Sequence, residues 1–85
     1  MNVNEKQMRE FATMLDGIAS MTGGPKLKIS AVAVRTGNQN RYVYSLVSAL
    51  NGRPVTEHWL DARQMRAVLY SVLAVEQERH RQTFA

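Results

Sequence analysis

The residues best placed to do chemistry in this chain are five cations, Lys26, Lys28, Arg35, Arg41 and Arg53, in a forty-residue window from Gly17 to Thr56 that contains no Asp or Glu. The window carries charge +5, whereas the flanks, with six basic and seven acidic residues, carry −1. Cations concentrated in this way neutralise phosphates or an acidic protein surface, and Tyr42, Tyr44 and Trp59 offer ring faces on which unpaired bases can stack. Arg63 and Arg66 add two guanidinium groups further on, with Tyr70 one helical turn after Arg66, the spacing at which a cation lies over an aromatic ring.

Covalent and metal chemistry find little here. His58 sits between Glu57 and Trp59, and His80 lies near the C-terminus, so neither spacing matches a metal pair or a catalytic triad. The hydroxyls of Ser45, Ser48 and Ser71 have no base beside them that the sequence identifies. Cysteine is absent, which removes disulfides, thiolate metal sites and thiol nucleophiles. A chain of 85 residues makes a single domain, residues 1–85, large enough for a two-layer core but too small for a buried active-site cleft with its own scaffold. The expectation is a protein that is not an enzyme and uses no cofactor and no metal. Its apolar fraction of 45% is that of a folded globular domain. No run approaches the roughly 18 apolar residues of a membrane span, and the N-terminus opens on polar Asn2, Asn4, Glu5 and Lys6, so a cytoplasmic location without membrane contact is expected.

The elements that must carry these side chains follow from periodicity. Met8, Phe11, Ala12, Leu15, Ile18 and Ala19 recur at three- and four-residue steps and predict a helix from Asn4 to Met21, with Asn4 as N-cap and Gln7 completing a capping box. Thr22-Gly23-Gly24-Pro25 ends it. Lys28 to Arg35 and Arg41 to Leu50 read as two strands joined by the turn residues Gly37-Asn38-Gln39-Asn40. Asn51-Gly52 predicts a type I′ turn, after which Arg53 to Trp59 returns as a third strand, on the edge because of Pro54. Asp61, with Gln64 three residues later, caps a second helix whose buried stripe is Ala62, Met65, Val68, Leu69, Val72 and Leu73. Beyond Val75 the residues are polar all round, so a folded core over 4–75 and a solvated, frayed tail over 76–85 are expected. The fold class is then α+β, a two-layer α-β-β-β-α arrangement in which a three-stranded antiparallel sheet buries one face under two helices. The two turns fall at opposite ends of that sheet, which separates Arg35 and Arg41 from Arg53.

This order of elements, with its turn-rich first hairpin, tight Asn-Gly second hairpin and apolar last helix, resembles the double-stranded RNA-binding domain over residues 4 to 75. The resemblance implies RNA contacts from the first helix, from the loop between the first two strands and from the start of the last helix. By position these are Gln7 and Glu10, then Asn38 to Arg41, then Arg63 and Arg66. Asp61-Ala62-Arg63-Gln64-Met65-Arg66 stands where that family carries a Lys-Lys-x-x-Lys cluster.

The functional expectation is a small binding module for an anionic partner, nucleic acid first. It would act through a basic sheet and helix-terminus surface comprising Lys26, Lys28, Arg35, Arg41, Arg53, Arg63 and Arg66, with Tyr42 and Trp59 as stacking rings. The alternative is a regulator or inhibitor that binds an acidic protein surface, in the manner of a small phage or mobile-element protein blocking a host nucleic-acid-binding complex. Met14 and Met21, on the flank of helix one, together with Val75 and Phe84, would supply its adaptable apolar contacts, and a homodimer is another way to cover them.

Overall fold

The computed structural model describes residues 3–84, with side chains from 4 to 82. Helix α1 (Val3–Thr22) is followed by strands β1 (Leu27–Thr36) and β2 (Gln39–Ser48) and by helix α2 (Ala62–Phe84). The order is α-β-β-α, and the sheet has two antiparallel strands, so the expected three-stranded α-β-β-β-α layout is corrected.

On α1 the buried positions are Gln7, Phe11, Met14 and Ile18, spaced 4, 3 and 4 residues apart as one helical face requires. Met14 therefore joins the core instead of the flank, while Ala12 is exposed. Asn4 lies inside the helix instead of at its N-cap. Its Oδ1 accepts a 2.9 Å hydrogen bond from the hydroxyl of Tyr44. Helix α2 begins as its sequence dictates. Asp61 Oδ1 accepts from the Gln64 backbone N–H at 2.8 Å, and Gln64 Oε1 accepts from the Asp61 N–H at 3.0 Å, which is the reciprocal capping box.

Helices α1 and α2 run in the same direction, since Arg66 meets Gln7 and Glu10, Leu73 lies 3.6 Å from the Cβ position of Gly17, and Glu76 shares a cleft with Thr22. Helix α1 ends at that level and α2 continues for about two more turns. The expected frayed tail is thus helical through Phe84. Residues 77–82 stay exposed, Glu76 is partly buried, and the helix is braced along its length by the ion pairs Glu76–Arg79 (3.5 Å) and Glu78–Arg81. The side chain of Phe84 and residue Ala85 fall outside the described part of the chain.

Strands β1 and β2 pair from Thr36↔Gln39 to Leu27↔Ser48 around a two-residue Gly37-Asn38 turn. Only Gly37 has positive φ there (62°), the pattern of a type II′ turn. The second turn departs from the type I′ expectation, because Gly52 has positive φ (72°) and Asn51 does not. Asn51 instead accepts the Arg53 N–H through Oδ1 at 2.9 Å, and Ser48 N–H donates to Arg53 O at 2.9 Å to close a four-residue loop. From Arg53 to Leu60 the chain follows the outer edge of β2 as a strap, touching it at two isolated bridges, Val47↔Pro54 and Tyr44↔Leu60. Those bridges enclose four residues on β2 and seven on the strap. The surplus leaves the plane around Glu57, His58 and Trp59, which is why no third strand forms.

Leu27, Ile29, Tyr44 and Leu46 face the helices, and their cluster with Phe11, Met14, Ile18, Met65 and Leu69 is the core. The Phe11 and Tyr44 rings meet edge to face, centroids 5.1 Å apart. Burial, and after it the charge of Tyr42, raises the Tyr44 phenol above its ordinary pKa of 10.0. Folding therefore favours the protonated ring. Stability from this group is whole below the unfolded pKa and is lost as pH rises through the higher folded value. Urea midpoints compared between about pH 9 and about pH 11 should fall more steeply for the native chain than for Tyr44→Phe. Equal slopes would show that this phenol does not sense folding.

Candidate functional site

The hairpin outruns the helices. Helix α1 starts level with Tyr44, to which Asn4 bonds, so the part of the ribbon beyond Ala31 and Tyr44 projects as an arm. Alternation along the strands gives this ribbon two faces. The helix-side face carries Ala31, Ala33 and Arg35 with Tyr42 and Asn40, and the opposite, open face carries Lys28, Ser30, Val32 and Val34 with Val47, Ser45, Val43 and Arg41, of which Val47 and Ser45 are buried. Tyr42, opposite Ala33, is 39% exposed because it lies past the end of the helix layer.

The expected site residues separate into three groups. Arg35 and Arg41 stand exposed near the tip, and Arg35 Nε makes a 3.4 Å hydrogen bond to Gly37 O. Lys26, Lys28 and Arg53 gather at the base, where Lys26 O accepts from Ala49 N–H, Lys28 sits opposite Val47, and Arg53 closes the loop after β2. Tip and base lie about 20 Å apart, six residues of strand at ~3.3 Å each. Arg63 is exposed on the first turn of α2, and Trp59 is 51% exposed on the strap.

Arg66 belongs to a different structure. Its Nε donates to Glu10 Oε1 at 2.6 Å and its Nη2 to Gln7 Oε1 at 3.0 Å, while Gln7 Nε2 donates to Glu10 Oε2 at 3.3 Å. This polar clamp joins α1 to α2 and satisfies the one buried amide on the α1 stripe. The guanidinium is engaged there and not over the Tyr70 ring. Nothing in the sequence signals the clamp, because its halves are separated by 56 residues and more.

The carboxylates avoid the ribbon, while basic residues lie on both layers, with Lys6, Arg9, Arg63, Arg66, Arg79 and Arg81 on the helices. Glu5, Glu10, Asp16, Glu76 and Glu78 are on the helices, and Glu57 and Asp61 are on the strap and cap, while Leu27 to Ser48 holds no acid. Three helix carboxylates are spent on helix arginines. Among the described residues, Lys26, Lys28, Arg35, Arg41, Arg53 and Arg63 make no ion pair. No group of three or more His, Asp or Glu among those residues is placed to hold a metal ion, and no helix is long and apolar enough to cross a membrane. An apolar cleft of about 220 Å³ lies between the end of α1, Leu27 and Val72, with Lys26 and Glu76 among its lining residues.

The fold defines an α+β protein in which two parallel helices back a two-stranded antiparallel ribbon. No family model, no curated protein and no solved structure matches the chain.

Proposed function

We propose that this protein is a non-enzymatic nucleic-acid-binding module whose contact surface is the β1–β2 ribbon. One observation carries the reading: the ribbon holds no acidic residue, and Lys28, Arg35 and Arg41 on it, with Lys26 and Arg53 at its base, make no ion pair among the described residues. Unpaired surface cations release counterions from a phosphate backbone when they bind it. Tyr42, exposed beside Arg35 and Arg41, is a stacking surface for an unpaired base. The helix-terminus part of the expected surface contributes less, since Arg66 is bonded to Glu10 and Gln7 and the start of α2 is already occupied by its own Asp61 cap. The double-stranded RNA-binding likeness adds little to this reading for the same reason, as its helix positions Gln7, Glu10 and Arg66 bond one another. For a protein-binding role the expected apolar contacts are reduced, because Met14 is in the core, while Met21 is partly buried and Val75 exposed.

Labelled single- and double-stranded DNA and RNA, titrated between about 50 and 200 mM salt, test the proposal. With five phosphate contacts on a single strand, log affinity should fall with log salt at a slope near 3.5, about a hundredfold across that range. The combined Lys28→Glu, Arg35→Glu and Arg41→Glu variant should lose binding while keeping its fold, since all three side chains are exposed. Absence of binding to every probe at 50 mM salt overturns the assignment.

A further inference from the structure

The outer edge of β1 has no partner, and its geometry matches a second copy of itself. Tyr44, Leu46 and Ser48 turn their backbone groups away from β1. Tyr44 exchanges hydrogen bonds with Leu60, Leu46 bonds Val55 and the Thr56 hydroxyl, and Ser48 donates to Arg53. Residues opposite one another in an antiparallel ladder share this choice, so Leu27, Ile29 and Ala31, and by alternation Ala33 and Arg35, turn their N–H and C=O groups away from β2 on the other side. Among the described residues no backbone group meets them. The usual protections of a free edge are missing as well. From Ile29 to Val34 the strand has no charge and no proline, and its pairing with β2 is free of bulges.

We propose that β1 pairs antiparallel with β1 of a second copy about a two-fold axis at Ala31, joining two ribbons into one four-stranded sheet. This register alone uses all five outward residues. Ala31 faces the partner's Ala31, Ile29 faces Ala33, and Leu27 faces Arg35, each pair exchanging two hydrogen bonds. Centring on Val32 instead leaves Leu27 without a strand partner. Side chains and charges also fit. Large Ile29 meets small Ala33, the stem of Lys28 lies across from Val34, and no two cations stand opposite each other. Arg35 of each copy arrives beside the other's Leu27, near the C-terminus of α1, a helix end with no basic residue in its last turn.

The dimer would also change the candidate site. On the open face Arg41 pairs with Val34, which stands opposite the partner's Lys28, so these two cations come within about 10 Å, two strand spacings. Within one copy they are about twice as far apart. The inference does not depend on nucleic acid, and its tests read assembly alone.

The chain has no cysteine, so one introduced thiol reports its own surroundings. Under mild oxidation the Ala31→Cys variant should give a covalent dimer, because the two-fold places its Cα about 5.5 Å from its mate, within disulfide reach. Thr36→Cys, at the far end of the strand, should not. The native protein should sediment as a dimer, and Ala31→Lys, which sets two ammonium groups on the axis without touching the β2 ladder, should be a folded monomer. Ala31→Pro removes an outward N–H and should act in the same way, whereas Val32→Pro, whose N–H points to β2, should unfold the ribbon. A native protein that is monomeric at every soluble concentration, a dimer that survives Ala31→Lys, or cross-linking through position 36 in preference to 31 would each overturn the proposal.

Discussion

Replacing Phe11 with alanine should remove about 3–5 kcal/mol of stability, the range for deleting a fully buried aromatic ring. Phe11 has no exposed surface, and it is where the helix layer meets the ribbon, its ring edge-on to Tyr44 at 82°. Leu46, Met65 and Leu69 are equally enclosed, so the truncation opens its cavity inside the core. Whole domains of this size are stable by about 5–15 kcal/mol, which makes this single truncation a large fraction of the total. At roughly 4–8 °C per kcal/mol the thermal midpoint should drop by more than about 12 °C. Leu50→Ala is the control. Leu50 is 79% exposed on the loop after β2, and its loss should lie within about 0.5 kcal/mol of zero. If the two variants melt together, the helices do not pack on the ribbon through Phe11.

The same contrast between local and distant information explains which parts of the fold the sequence reveals. The capping box of α2 needs only Asp61 and Gln64, three residues apart, and it forms as those residues dictate. The first hairpin is equally local, with β-branched runs on either side of Gly37-Asn38. The third strand fails for reasons spread over two segments. The residues from Pro54 to Leu60 outnumber by three the stretch of β2 they must match. Asn4 shows another limit. Its type and position suit an N-cap, but a tyrosine forty residues away bonds its side chain inside the helix. Helix α2 continues past Val75 because ion pairs along its own length replace the apolar stripe, and a polar run alone does not separate that outcome from fraying.

For the candidate site, the acid-free window already showed the segregation of charge in one dimension. In the folded chain the ribbon is the layer without carboxylates, which lie on the helices, strap and cap together with six basic residues of the helices. Folding also removed Arg66 from the free cations through Glu10, a partner that spacing cannot reveal. The free edge of β1 was partly legible as an uncharged run from Ile29 to Val34. Which of its backbone groups point outward depends on the strap bonding the far side of β2, so the edge is defined only by the assembled structure.

That strap supplies the second large effect. The Thr56 hydroxyl accepts the Leu46 N–H at 3.2 Å and sits 3.3 Å from the Ser45 hydroxyl. Leu46 is fully enclosed, so water cannot replace the lost acceptor. Thr56→Val keeps the shape of the side chain and removes only its oxygen, leaving a buried amide unsatisfied at a cost of about 1–3 kcal/mol. Thr56→Ser keeps the oxygen and loses one methyl group, so its cost should be well below that of valine. Urea unfolding separates the two, with the valine variant shifting the midpoint at unchanged slope because the surface exposed on unfolding is the same. Hydrogen exchange gives a local check. In Thr56→Val the Leu46 amide should exchange faster than the stability loss alone predicts, whereas the amides of Val32 and Val43, which bond each other across the ladder, should slow or quicken only with global stability. Equal exchange at all three sites would mean that the Thr56 hydroxyl is no acceptor for Leu46, and that the edge of β2 is held by the backbone bonds of Arg53, Val55 and Leu60.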